Sequence, residues 1–541
     1  MSFAKGQVLS GLGVGLAAVS ARVIRVLPPQ ELPAWHRTEA SFEAEQATLR
    51  SGIDSVEANL ARLAEGADET SSDIFGALAV LLTDEELLEM AEGFISEGWS
   101  CASAFGMAVN EFAEILGGDP DFDERVKDLQ DLSRRVQAAI AGIKVGLELP
   151  TEGAFVIVGE DFSPADTAAF TKAVVGVVTT SGGPTSHTAI ICRARSIAAV
   201  VSCTEAANLV DGDLVLVDPV ADRVVFEADL SLATQAIKFV ETAAEPIVAV
   251  RANIGSVEDA QKAALTKANG VGLFRTELLY LATNEQPSRE VQTSKYAEVL
   301  AASPAGPVVV RTIDAGSDKP VPFLHMQHEE NPALGVRGFR LVREHRDFIV
   351  DQLASLAEAQ KKTEREVWVM APMVATAEEA IEFAALAQAQ GDFKVGIMVE
   401  VPAIVQQISE LSGVIDFISV GTNDLSQYLF GADRQNSALG ALLNHWQPAL
   451  IRTLAKIAGD AKQAGISSGV CGESASDPAF AVVLAGLGFN SVSASPTQVD
   501  VVRSALSSVN QEQAKALASS ALSARTAAEA KSAVTSGLAS L

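Results

Sequence analysis

At 541 residues the chain is too long for one ordinary hydrophobic core, so at least two domains are expected, each burying its own interior. Apolar residues make up 48% and aromatics 5%, the composition of a foldable, helix-rich α/β enzyme-like chain. Against 40 Lys and Arg stand 69 Asp and Glu, and the formal charge of −29 excludes nucleic acid and anionic membranes as partners while favouring a basic protein.

The opening run "QVLSGLGVG" is apolar but broken by glycine, which predicts a β-strand pair rather than a secretory leader. Over residues 32–143 apolar positions recur at i, i+3 and i+4, between acidic clusters such as "TDEELLEMAEGF" and "DPDFDERVKDLQDL"; this predicts a helical bundle with an acidic face. Short β-rich runs then follow: "FVIVGEDFSP", "AVVGVVTTSGG", "AAVVSC" and the antiparallel candidate "DGDLVLVDPVADRVVFEAD". Strands on both sides of the bundle imply that it is inserted into a discontinuous α/β domain of residues 1–31 and 144–230. A polar helix, "ATQAIKFVETAAEP", is expected to form a linker over 231–245.

Residues 246–541 carry eight apolar runs separated by helical stretches: "PIVAVRANI", "GVGLFRTE", "PVVVRTID", "EVWVMAPMV", "KVGIMVEV", "IDFISVGTND", "ISSGVCGE" and "NSVSAS". Eight such βα units predict a closed (β/α)8 TIM barrel of parallel strands. The Ala/Ser-rich tail is expected to be helical. Four cysteines (Cys101, Cys192, Cys203, Cys471) show no CxxC spacing, which fits a reducing cytoplasm, and no run of about 18 strongly apolar residues suggests insertion in a membrane.

The barrel strands deliver their polar residues at their C-terminal ends: Arg275 and Glu277, Arg311 and Asp314, Glu400, Asn423 and Asp424, Cys471 and Glu473. That is the face on which such barrels place their chemistry. Arg275, Arg311 and Arg434 offer planar forks of donors suited to phosphate and carboxylate oxygens. Glu400 and Asp424 are hard-oxygen ligands of the kind Mg²⁺ takes, so the expected ligand is a small phosphorylated acid. The competing reading pairs these carboxylates with the arginines as salt bridges at the barrel mouth, but buried pairs without a ligand are energetically poor. Cys471, taken alone, reads as a small buried filler.

One further histidine stands apart from the barrel. In "GGPTSHTAIICRAR", His187 follows a strand-like run and a Gly-Gly turn and precedes an apolar-periodic segment, so it should open a helix. Backbone N–H groups and the positive helix end favour an anion there, and neutral imidazole is a nucleophile near pH 7. A lone histidine is more commonly a packed or capped surface residue; here the glycines permit close approach and Thr185 and Ser186 add hydroxyl donors, which turns the reading towards a phosphohistidine. Because His187 lies outside the barrel, its domain must be mobile to exchange a phosphoryl group with it.

"GGPTSHTAIICR" and "DFISVGTNDLSQYLFGADR" resemble the two signatures of the PEP-utilising enzymes (PEP, phosphoenolpyruvate), and "VRANIGSVEDA", "GVGLFRTELLY", "VVVRTIDAGSDKP", "ENPALGVRGFRL", "GIMVEVPA" and "GVCGESASD" extend the likeness almost end to end. Within that family the chain resembles the enzyme I group of the bacterial phosphotransferase system. The resemblance implies that Arg275, Arg311, Asn423, Asp424 and Arg434 contact PEP, with Glu400 and Asp424 holding Mg²⁺. It implies that His187 is phosphorylated on Nε2, that Cys471 protonates the enolate of pyruvate, and that the phosphoryl group passes to a histidine of the carrier protein HPr docked on the helical bundle, as the first step of sugar uptake. It also implies a homodimer joined through the barrel. Arg337 and Lys319 are expected near the barrel mouth. The segment "DIFGALAVLLTDEEL" departs from the family in lacking its usual charged and histidine residues, and no Gly-rich nucleotide loop precedes residue 150, which sets aside the ATP-dependent dikinases and synthases of the same family.

Overall fold

In a computed structural model the chain forms two compact units, residues 1–236 and 237–541. The structure describes residues 3–15, 17–26, 32–65, 78–79, 81–116, 123–143, 147, 149–183, 186–195, 197–233, 239, 244–280, 283, 285–316, 321–324, 326, 329–434, 436 and 439–541. Most of the expected linker helix, the residues Pro184, Thr185 and Lys319, and the start of the "DIFGALAVLL" segment lie outside them.

The first unit is built on an eight-stranded sheet. Its strands are β1 (Val8–Ser10), β2 (Leu12–Val14), β3 (Val19–Arg25), β4 (Phe155–Gly159), β5 (Val174–Thr179), β6 (Ala198–Val201), β7 (Leu214–Asp218) and β8 (Arg223–Phe226), in the order β1-β8-β7-β3-β4-β5-β6-β2. β3 to β6 pair in parallel, and the remaining pairs are antiparallel. The opening strands do not pair with each other as expected: β1 joins β8 and β2 joins β6. A single residue, Gly11, separates them, which is too short for a hairpin turn, so the chain carries the two edges of one curled sheet instead. A Cβ at Gly11 would come within 2.5 Å of the Val200 side chain, so the close passage requires glycine.

Between β3 and β4 the described residues include four long helices, Phe42–Glu65, Glu85–Ser96, Cys101–Leu116 and Asp123–Ala141, around their own core of Leu49, Ile53, Leu87, Phe105, Val109 and Val136. Arg135 ties the last of them to the sheet layer. Its guanidinium donates to Asp131 at 2.7 Å, and to Ser163 Oγ and Asp166 at 3.0 Å each. Asp166 lies on the short helix Pro164–Ala168 that follows β4.

The second unit is a closed barrel of eight parallel strands: β9 (Ala249–Ile254), β10 (Val271–Arg275), β11 (Val308–Arg311), β12 (Val367–Ala371), β13 (Lys394–Val399), β14 (Phe417–Val420), β15 (Ser467–Val470) and β16 (Ser491–Ala494), with β16 closing on β9. All eight expected strands are present. Outward side chains such as Val250, Val308, Val369 and Val395 pack on the surrounding helices, while Leu273, Val309, Met370, Met398, Phe417 and Cys471 cluster inside the barrel. The tail forms two helices, Gln511–Ser523 and Ala527–Ala539, that pack on the barrel's outer layer. Among the described residues no helix is long and apolar enough to cross a membrane.

Candidate active site

Two places carry the residues singled out above, one in each unit. In the first unit β5 ends at Thr179 and the chain turns through Gly182, whose φ of +81° is open to glycine at little cost. A Cβ on Gly182 would stand 2.9 Å from an Asp161 carboxylate oxygen. That carboxylate in turn accepts from Thr188 Oγ1 at 2.7 Å and from the Phe162 N–H at 2.9 Å. From the other side the Ser202 hydroxyl donates to the Gly182 carbonyl. The turn is thus held on both flanks before it enters the helix His187–Ala194, whose N-cap Ser186 accepts from the Ala189 N–H at 3.4 Å. His187 occupies the first helical position, where backbone N–H groups are free of intrahelical partners. Its imidazole lies outside the described residues.

In the second unit the residues following the strands converge on the C-terminal rim. Arg311 ends β11 and is buried; it pairs with Glu277 and, at 2.9 Å, with Asp314. Arg337 is only 2% exposed and donates to Asp314 at 3.0 and 3.3 Å and to Asp424 at 3.3 Å. Arg434 donates to the other Asp424 oxygen at 3.4 Å. Asp424 and Asn423 sit in the first turn of the helix Thr422–Phe430, and Asn423 Oδ1 accepts from the Glu473 N–H at 3.1 Å. Arg275, at the end of β10, is exposed and has no ion-pair partner among the described residues.

Glu400 follows β13 directly and is buried to 1% exposure; one oxygen accepts from the Met373 N–H at 2.6 Å. Met373 holds a positive φ of +59°, unusual for a side-chain-bearing residue. It packs against Gly338, where a Cβ would come within 2.8 Å of the Met373 side chain. The strained backbone at Met373 therefore aims its N–H at the carboxylate. Burial, followed by the neighbouring charges of Asp424 and Asp314, pushes the Glu400 carboxyl up to about 8, although Arg311 and Arg337 pull the other way.

Cys471 follows β15, points into the barrel and is 3% exposed. Burial pushes its thiol up to about 11, with Ser419, Arg311 and Arg275 opposing and Glu400 adding to the rise. It stays a thiol, the proton-bearing form, across the physiological range.

Three observations bear on a divalent cation. The neighbouring Asp424 raises the cost of ionising Glu400 in a buried setting; two arginines already lean on Asp424; and the oxygens offered are hard carboxylate donors. Among the described residues no ready-made cluster of three or more His, Cys, Asp or Glu ligands occurs. The set fits a cation that takes two protein carboxylates and completes its shell with substrate oxygens and water, as Mg²⁺ does. Two polar atoms at the rim, Arg311 Nε and the second Glu277 oxygen, are buried without a hydrogen-bond partner, which fits a site built to receive polar ligand atoms.

The strand-end pattern brings Arg311, Asn423, Asp424, Glu400, Arg434 and Cys471 to one rim. The bridging role of Asp314 between Arg311 and Arg337, and the Met373–Gly338 contact that serves Glu400, were not read from the sequence. The motifs "GVRGF" and "APMV" hold the relevant residues, but nothing in their spacing shows that distant loops meet.

The sequence matches the profiles described as PEP-utilising enzyme, N-terminal over residues 7–125, PEP-utilising enzyme, mobile domain over 151–221, and PEP-utilising enzyme, PEP-binding domain over 232–511. It is 36% identical to the phosphoenolpyruvate-protein phosphotransferase of Streptomyces coelicolor, the alignment covering 97% of this chain and 96% of that protein. It is 32% identical to the protein of that name from Geobacillus stearothermophilus over 97% of both chains. The one from Haloferax volcanii is 34% identical over 97% of this chain and 98% of its own length.

Proposed function

The chain belongs to the PEP-utilising enzymes as a phosphoenolpyruvate-protein phosphotransferase, and from that premise we propose that its barrel rim takes a phosphoryl group from PEP and passes it to His187. The observation that carries this reading is the gathering of Arg311, Arg337, Arg434, Glu400, Asp424 and Cys471 around one rim, a donor set matched to a small phosphorylated carboxylic acid.

The arginine forks bind and orient the phosphate and carboxylate of PEP, with Arg275 free to close on the ligand and Asn423 adding an amide. Glu400 and Asp424 would hold Mg²⁺, which would supply a concentrated positive charge to offset that of the phosphate. The same arginines stabilise the charge spread over the transferring group, which is where most catalysis of phosphoryl transfer arises. Neutral His187 attacks phosphorus in line through Nε2, and the bond to the enolate oxygen breaks. The enolate carbon then takes the proton of the Cys471 thiol, giving pyruvate. A thiol raised by burial suits this role, since it carries its proton at neutral pH and releases it only to a strong carbon base.

We further propose that phospho-His187 hands the group to a histidine of HPr on the acidic helical bundle, whose charge would speed encounter with a basic carrier. The same reading makes the enzyme a cytoplasmic homodimer that starts sugar uptake. The test is incubation with radiolabelled PEP and Mg²⁺. The expected product is an acid-labile, heat-stable phosphoryl adduct, absent in His187→Ala and discharged by HPr; an unlabelled wild-type chain refutes the proposal.

A further inference from the structure

Behind the rim, closed off from solvent, a chain of polar side chains runs through the apolar layer between the barrel and its outer helices. Gln352, on the helix Val342–Thr363, sits at its centre, and Thr276, Tyr280, Tyr296 and Gln352 are all fully buried. The Gln352 Nε2 group donates to Thr276 Oγ1 at 3.1 Å and to the Tyr296 hydroxyl at 3.0 Å, while its Oε1 accepts from the Ile313 N–H at 3.0 Å. Thr276 Oγ1 passes the link on by donating to the Arg311 carbonyl at 2.8 Å. On the far side the Tyr280 hydroxyl donates to that of Tyr296 at 2.6 Å, which anchors the amide plane.

Both ends of the amide are thus spent on the segments that follow β10 and β11, the strands in which Arg275 and Arg311 are register partners. Thr276 stands between Arg275 and Glu277, and Glu277 is an ion-pair partner of Arg311. Ile313 precedes Asp314, which bridges Arg311 to Arg337. One side chain therefore grips both segments from which this part of the cationic rim is built. The ordinary role for such a group is to hold two outer helices together, but these have bonds of their own: Arg289 to Asp351 at 2.6 Å and Thr293 to Glu358 at 3.2 Å. Nor does a buried amide add much net stability over an apolar side chain of the same shape, since its hydrogen bonds replace those it made to water. What a satisfied buried polar network supplies is a fixed geometry.

The geometry points to Gln352 as a positioning residue for phosphotransfer: it fixes the spacing and direction of the two strand ends so that Arg275 and Arg311 meet the same ligand. The inference rests on the reading of the rim as the PEP site.

The test follows the rate of His187 labelling by radiolabelled PEP with Mg²⁺ in the full-length chain, as a function of PEP concentration, for wild type, Gln352→Met and Thr276→Val. Both substitutions keep the side-chain volume and cut the link. The expected result is a half-saturating PEP concentration raised about 3–10-fold, the loss of about one hydrogen bond, with the final labelled fraction at saturating PEP equal to that of wild type. The two substitutions combined should raise it no further than Gln352→Met alone, because they cut the same link. A merely structural role gives the opposite split, a smaller labelled fraction at unchanged half-saturation; that outcome overturns the inference, as does a rise below about 2-fold. If Gln352→Met fails to fold, Thr276→Val decides by the same criterion. An unlabelled wild-type chain refutes the phosphotransfer reading and this inference with it, whereas a labelled wild type with unshifted variants refutes this inference alone.

Discussion

The two candidate centres solve opposite electrostatic problems. The turn before His187 is held by neutral hydroxyls, one carboxylate and backbone groups, and it presents a helix start. The barrel rim instead packs Arg311, Arg337, Asp314, Glu400 and Asp424 into nearly dry surroundings. The contrast teaches which centre is costly to assemble. A phosphoryl acceptor needs little more than a positioned neutral imidazole and donors for an arriving anion. A phosphoryl donor site must hold like charges together before the ligand arrives, and much of that cost appears in the raised proton affinity of Glu400.

The sharpest way to break this division is His187→Ala. Transfer should fall to background, while PEP binding by the barrel, read by calorimetry, stays within about 2-fold; loss of both would mean that the centres are not separable. Next, Asp424→Asn should slow phosphorylation by about 10²–10⁴-fold in single-turnover assays, because it removes a proposed metal ligand and frees Arg337 and Arg434 from their carboxylate. Cys471→Ser should slow pyruvate formation by about 10²-fold or more, and the wild-type rate should keep its acid-dependent limb until pH approaches about 11, where the thiol ionises.

Glu400 gives a stability test confined to the barrel. Its carboxyl is raised from 4.5 to about 8 on folding, so the contribution is full below 4.5 and is lost as pH rises towards 8. Metal-free protein should therefore show a barrel melting temperature that declines across that window, and Glu400→Gln should flatten the decline. The smallest effect belongs to the first unit: Gly182→Ala should cost about 1–2 kcal/mol in chemical denaturation, from the left-handed φ and the Asp161 contact, and should leave the barrel transition untouched.

Much of this was legible in the chain. Eight apolar runs, five of them delivering polar residues at or just after their ends, are enough to predict a parallel barrel and to say which rim is active, since alternation with helices leaves few other closures. The Gly-Gly turn before an apolar-periodic run likewise announces a helix start at His187. The pairing of the opening strands was misread because period-2 patterning identifies a strand but not its neighbour, and the one-residue link at Gly11 rules out the local hairpin.

By itself the sequence determined the elements, their order and the chemistry each strand end carries, because propensity and periodicity act over a few residues. Only the tertiary structure decided that Asp314 would join Arg311 to Arg337, that Met373 would turn its N–H to Glu400, and that Arg251 would lay its guanidinium over the Trp368 ring. Those contacts span tens to more than a hundred residues, or, where the residues are close in the chain, depend on what else is buried with them. Their energies come from desolvation and charge proximity, which exist only once the barrel has closed.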